Sequence, residues 1–230
     1  MPAISGVING AMILQDNLFD IMSCEQFVKV IKPKVEGTKL LDELFYDTPL
    51  DFFVVTSSIT AIIGLSGQSN YSAANTFMTS LAYQRKERGV AGSAMVVPAV
   101  AGIGYAAQGN NFDFEYFTSI GYRTISEQDL CILFAEAVLS GRPGSPEKAE
   151  VVAGVNYVPA DLSIKRTHRR DLKFTHYLLE QENGSRSGGA STTVRVKTQL
   201  ESAKTKNQVY CIIQGKFRSH GFLTSKTINA

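Results

Sequence analysis

The chain has 230 residues, 44% of them hydrophobic and 19% charged, which suits one soluble, packed domain with an appendage. A formal net charge of +2 gives no general attraction to nucleic acid or to a membrane surface, no apolar stretch is long enough to span a bilayer, and the N-terminus lacks a signal-peptide pattern. Cys24, Cys131 and Cys211 are far apart and odd in number, which argues against a disulfide framework or zinc site and for a reducing, cytoplasmic setting.

Ile4 to Ala11 reads as a first strand. Ser23 and Gln26 have the spacing of a capping box and open a helix towards Phe45, which Pro33 is expected to kink or split. Phe52 to Ser57 is a second strand, and its apolar run ending in serines brings the hydroxyl of Ser58 to a C-terminal edge. Ser69 to Arg88, alanine-rich and free of proline, predicts a helix closed by Gly89. Ala91 to Val97 is a third strand. Gly102 to Tyr122 is rich in glycine and aromatics without clean periodicity, which suits a mobile flap near a substrate. Ser126 to Ser140 predicts a helix stopped by Gly141 and Pro143, and Val151 to Val155 a last short strand. This alternation predicts an α/β fold with a parallel sheet.

From Asp161 the character changes. Residues 161–193, with Gly184-Ser185-Arg186-Ser187-Gly188-Gly189, read as a flexible linker; residues 194–230 read as a helical segment and an irregular tail. The basic run Lys165, Arg166, His168, Arg169, Arg170 and Lys173 lacks interleaved aromatics and reads as solvated surface rather than a nucleic-acid site. His168, His176 and His220 have no metal-ligand spacing.

Tyr71 and Asn75 are four residues apart and share one helix face. A phenol and a hydroxyl converging beyond a strand end suit carbonyl chemistry. Reducing a ketone needs a hydride at carbon and a proton at oxygen. A free phenol, with a pKa of about 10, gives up its proton poorly near neutrality, and a nearby ammonium favours the phenolate. Lys34 is assigned that task, Ser58 the task of fixing the substrate carbonyl, and Asn75 that of holding a water that resupplies the proton. No side chain supplies hydride, so this chemistry needs a nicotinamide cofactor.

Tyr71-Ser72-Ala73-Ala74-Asn75 and Lys32-Pro33-Lys34-Val35-Glu36-Gly37 together resemble the ketoreductase domain of type I polyketide synthases, within the short-chain dehydrogenase/reductase superfamily. Most single-domain members carry Tyr-x-x-x-Lys; the polyketide enzymes show Tyr-x-x-x-Asn with the lysine on the preceding helix, the arrangement found here. The segment from Gly6 to Asp16 is similar to the family's preceding strand and turn, and Leu133 to Ala137 with Gly141-Arg142-Pro143 to its late helix. The closest flavour is the fungal iterative, highly reducing synthase.

This resemblance covers residues 1–160 and implies the catalytic half of a Rossmann-like, doubly wound parallel sheet. It implies NADPH-dependent reduction of a β-ketoacyl thioester, carried on the phosphopantetheine of an acyl carrier domain, to the β-hydroxyacyl form within a larger synthase. Lys34, Ser58, Tyr71 and Asn75 are its expected catalytic residues, and Asn9, Ala11, Lys34 and Tyr71 its expected cofactor contacts. Asn9 stands where the family more often has histidine, and Val97-Pro98-Ala99 replaces a more glycine-rich turn. No Gly-x-Gly-x-x-Gly follows a strand, so the N-terminal dinucleotide-binding half is expected to be missing. The tail is expected to lead towards a carrier domain whose Asp-Ser-Leu attachment motif is absent. The competing expectation is an inactive fragment, a remnant or interaction piece unable to bind NADPH alone, with apolar surface exposed where the other half would pack.

Overall fold

A computed structural model describes residues 3–104, 113–119 and 121–155, together with Phe174. The expected linker and tail, Phe174 excepted, lie outside the described residues, as does part of the expected flap. Among the described residues four strands, β1 (Gly6–Asn9), β2 (Phe52–Ser58), β3 (Ser93–Val97) and β4 (Glu150–Val152), form one parallel sheet in the order β1-β2-β3-β4. Asn9 pairs with Val55, Val54 with Ser93 and Ala94 with Glu150. The helices are α1 (Cys24–Leu44), α2 (Thr60–Ile63), α3 (Ser69–Glu87), α4 (Phe114–Ser119) and α5 (Glu127–Ser140).

Alternation along β2 explains the layering. Phe53 and Val55 pack with Met78, Leu81 and Ala82 of α3, and with Leu41 of α1 at the margin. Val54 belongs to the opposite face, where Leu133 and Ala137 of α5 cover it together with Met95. The parallel sheet is the one expected from the element order, and helices on both its faces give the doubly wound arrangement that the resemblance implies. A third cluster, with Ile59, Ile63, Val96, Tyr122 and Val155, takes in Phe174, which is 1% exposed. One residue of the stretch expected as linker is therefore part of the core.

Both ends of α1 follow the sequence. Ser23 Oγ accepts from the Gln26 N–H at 3.2 Å, and the Ser23 N–H donates to Gln26 Oε1 at 2.9 Å. Pro33, however, does not split the helix, which runs unbroken through all 21 residues. Its missing N–H forfeits one bond, whereas Val30, Lys34 and Thr38 stay buried along the same helix, so packing outweighs the local defect. Near its C-terminal end, Asp42 pairs with Arg85 and Arg88 of α3 and its flank. Arg85 is fully buried, donates from Nε to the Ala91 carbonyl at 2.8 Å, and lies 3.9 Å from the Phe53 ring centroid. This clamp ties together the two helices that carry Lys34 and Tyr71.

The first strand is shorter than expected because the Ala11 N–H donates to Asn9 Oδ1 at 3.0 Å and turns the chain after Asn9. Among the described strands β1 pairs only with β2, and Ile8, on the face that α5 covers further along the sheet, is 50% exposed. The last strand also ends early; Val155 instead forms an antiparallel bridge with Tyr122. Within the expected flap, α4 is helical and Tyr122 Oη donates to the Gly64 carbonyl at 2.9 Å. The described residues contain no helix long and apolar enough to cross a membrane.

Candidate active site

The end of β2 and the first turns of α3 converge on the face of α1, as the sequence leads one to expect. Ser58 is the last residue of β2, Tyr71 lies in the first turn of α3, and Asn75 follows one turn later. Lys34 enters from α1 and is 1% exposed. Its Nζ donates to the Thr56 carbonyl at 2.9 Å and lies 5.2 Å from the Tyr71 ring centroid. All four expected catalytic side chains therefore gather at one sheet end.

Tyr71 Oη donates to the thioether of Met12 at 3.3 Å. Burial raises the Tyr71 pKa above its ordinary value, with the Asn75 and Ser58 side chains pulling the other way. That net direction is opposite to the one proton transfer near neutrality calls for. Burial of the hydroxyl is the leading cause, and the Asp16 carboxylate adds to it. Burial also lowers the Lys34 pKa, to about 8. Asn75 Nδ2 donates to the Tyr71 carbonyl at 2.8 Å, whereas its Oδ1, buried, has no hydrogen-bond partner. An unpartnered buried acceptor is the kind of atom that a bound water satisfies.

Of the expected cofactor contacts, Lys34 and Tyr71 bring an ammonium and a phenol to the same sheet end. Asn9 is spent internally: Nδ2 donates to Thr38 Oγ1 at 2.9 Å, and Thr38 Oγ1 donates onward to the Lys34 carbonyl. Asn9 therefore ties β1 to the helix that carries Lys34, and Ala11 is held through its backbone. Lys34 Nζ also donates to Met78 Sδ at 3.9 Å, which leaves one N–H; that donor and a phenol at one sheet end suit a hydroxyl-bearing group such as a ribose. Among the described residues no glycine-rich turn opens a helix for a pyrophosphate. Nor does any group of three or more His, Cys, Asp or Glu side chains among them suit a metal ion.

Two neighbours escape the sequence reading. Met12 reaches Tyr71 only through the tertiary fold, so no local signal marks it. Thr60 lies two residues past Ser58 and contacts its oxygen, a spacing typical of hydroxyl-to-backbone turns. The loop after β1 is laced to the start of α3: Gln68 Nε2 donates to Asp16 at 2.9 Å, Asn70 Nδ2 to the Gln15 carbonyl at 3.1 Å, and the Asn17 N–H to the Gly67 carbonyl at 2.9 Å. These ties hold Met12 over Tyr71.

Comparison with known proteins places this geometry in context. Residues 1–102 match the family model described as KR domain. The chain is 48% identical, over 98% of its length, to the hybrid PKS-NRPS synthetase prlS of a fungal species, and 46% identical, over 94%, to the equisetin synthetase eqxS of Fusarium heterosporum. It spans 6% of the length of each. Among solved structures, it is similar to the PlmKR1 ketoreductase from the first module of phoslactomycin biosynthesis in Streptomyces, at 28% identity and a TM-score of 0.55, over 63% of this chain and 32% of that one. An A-type ketoreductase from a modular polyketide synthase shares the fold, with a TM-score of 0.57 at 21% identity, over 66% of this chain and 31% of that one. Residues 1–102 therefore belong to the KR, or ketoreductase, domain family of polyketide synthases.

Proposed function

We propose that the chain carries the catalytic half of a ketoreductase and, as part of a larger synthase, reduces a β-ketoacyl thioester to the β-hydroxyacyl form with NADPH. The observation that carries this reading is the gathering of Lys34, Ser58, Tyr71 and Asn75 at one sheet end, with Lys34 buried beside the Tyr71 ring. The β-ketoacyl chain is presented by the phosphopantetheine arm of an acyl carrier domain elsewhere in the synthase. Residues 161–193, apart from the core residue Phe174, serve as the linker, and residues 194–230 lead towards that carrier.

Ser58 donates a hydrogen bond to the ketone oxygen and sets it against Tyr71. Tyr71 passes its phenolic proton to that oxygen as the alcohol forms, and the Lys34 ammonium stabilises the phenolate left behind. A water on Asn75 Oδ1 returns the proton to Tyr71. A reduced nicotinamide, when bound, would supply the hydride for the carbonyl carbon. Lys34 and Tyr71 hold its ribose, and the turn that Asn9 fixes at Ala11 borders it.

A second reading has its own observation: Ile8 of β1 and Ile4 just before it are exposed, and no pyrophosphate-binding turn occurs among the described residues. On that reading the chain is an inert fragment that binds NADPH only when another polypeptide segment completes the sheet. Titration of NADPH into the purified 230-residue chain, followed by nicotinamide fluorescence, separates the two. Saturable binding supports a self-sufficient site. Absence of binding by the folded chain, restored by co-expressing the segment of prlS that precedes the matched stretch, assigns the missing contacts to that segment. The ketone-reducing reading is contradicted if the completed assembly binds NADPH yet makes no alcohol from an acetoacetyl thioester.

A further inference from the structure

We infer that Thr60 is a positioning residue for this reaction, acting through Ser58. A serine hydroxyl has two acceptor lone pairs and one hydrogen. Two donors from Thr60 approach Ser58 Oγ, the backbone N–H at 3.3 Å and Oγ1 at 3.1 Å. Thr60 is itself 7% exposed, and its carbonyl accepts from Ser72 Oγ of α3 at 3.2 Å, so it is held between β2 and the helix that carries Tyr71.

With both lone pairs of Ser58 engaged, its own hydrogen remains as the group it can offer. The Thr60 hydroxyl thus commits Ser58 to donating, which is what binding a ketone oxygen requires, and polarises that O–H by cooperativity. Without it Ser58 can turn over and present a lone pair to the ketone, a repulsive contact. The opposite polarity, Ser58 donating to Thr60, would leave Ser58 with no hydrogen for the substrate.

This inference rests on the ketone-reducing reading, and its test keeps the two apart. The full chain, co-expressed with the preceding segment of prlS, is assayed with NADPH and an acetoacetyl thioester for Thr60→Val, Thr60→Ser, Ser58→Ala and the Ser58→Ala/Thr60→Val pair. Thr60→Val keeps the shape and the backbone N–H but removes the O–H; loss of one oriented hydrogen bond predicts a fall of about tenfold in kcat, with KM for NADPH unchanged. Thr60→Ser should recover activity to about twofold of the parent, and the pair should be no slower than Ser58→Ala alone, as expected of two residues that act as a unit. If Thr60→Val does not fold, Thr60→Ala carries the same expectation. The inference is overturned if the O–H deletion matches or exceeds the parent, if Thr60→Ser falls equally far, or if the losses multiply in the pair. A Ser58→Ala variant as fast as its parent, or a parent that makes no alcohol, overturns the reading and this inference with it.

Discussion

Lys34→Met tests the buried ammonium on which the site depends. Burial displaces the lysine from 10.5 to about 8, and at about 1.4 kcal/mol for each pKa unit the charged form costs the fold roughly 3 kcal/mol. Because the folded value lies below the unfolded one, the unfolded chain binds more protons between pH 8 and 10.5. Stability from this group therefore rises through that window, and the penalty is fully present below it. Methionine keeps most of the stem and removes the charge, but loses the 2.9 Å bond to the Thr56 carbonyl, worth about 1.5–3 kcal/mol for a charged donor. Near pH 7 the two terms nearly cancel, so the variant should match or modestly exceed the parent. By pH 10.5 the parent should have gained roughly 3 kcal/mol relative to the variant. Urea unfolding of both chains, followed by circular dichroism at intervals from pH 7 upwards, reads this difference and cancels groups common to both. A difference that stays flat, or runs in the variant's favour as pH rises, refutes the claim that Lys34 is held charged against burial.

Two further substitutions probe what holds the site. Asp42→Ala removes the carboxylate facing fully buried Arg85, and an uncompensated guanidinium there should destabilise the chain by about 3 kcal/mol, read as a lower urea midpoint; an unchanged midpoint would mean that solvent reaches Arg85. Phe174→Ala empties a core position and should cost about 3–5 kcal/mol, whereas a residue in a free linker would cost nothing measurable.

Much of this was legible because local chemistry and fold agree. The serine-ended run at Phe52–Ser58 is a strand, Ser23 and Gln26 form the expected box, and the four-residue spacing of Tyr71 and Asn75 survives as a shared helix face. The split considered at Pro33 does not occur, because a propensity argument weighs one lost hydrogen bond and cannot see Val30, Lys34 and Thr38 buried on the same helix. Asn9 illustrates a different limit. Its type and position suit a ligand contact; that its Nδ2 donates to Thr38 and its Oδ1 accepts from Ala11 only the tertiary structure reveals. The direction of the Tyr71 pKa was likewise hidden: sequence gives a lysine, but not the burial that outweighs every other influence on the hydroxyl.

The most direct test of the account compares alcohol formation from an acetoacetyl thioester by the parent chain and by Tyr71→Phe, each assembled with the preceding segment of prlS and supplied with NADPH. Loss of the proton donor should lower the rate by about 10²–10⁴-fold while NADPH binding, followed by fluorescence, stays within about twofold. A Tyr71→Phe assembly that forms the alcohol as fast as its parent would contradict the central claim.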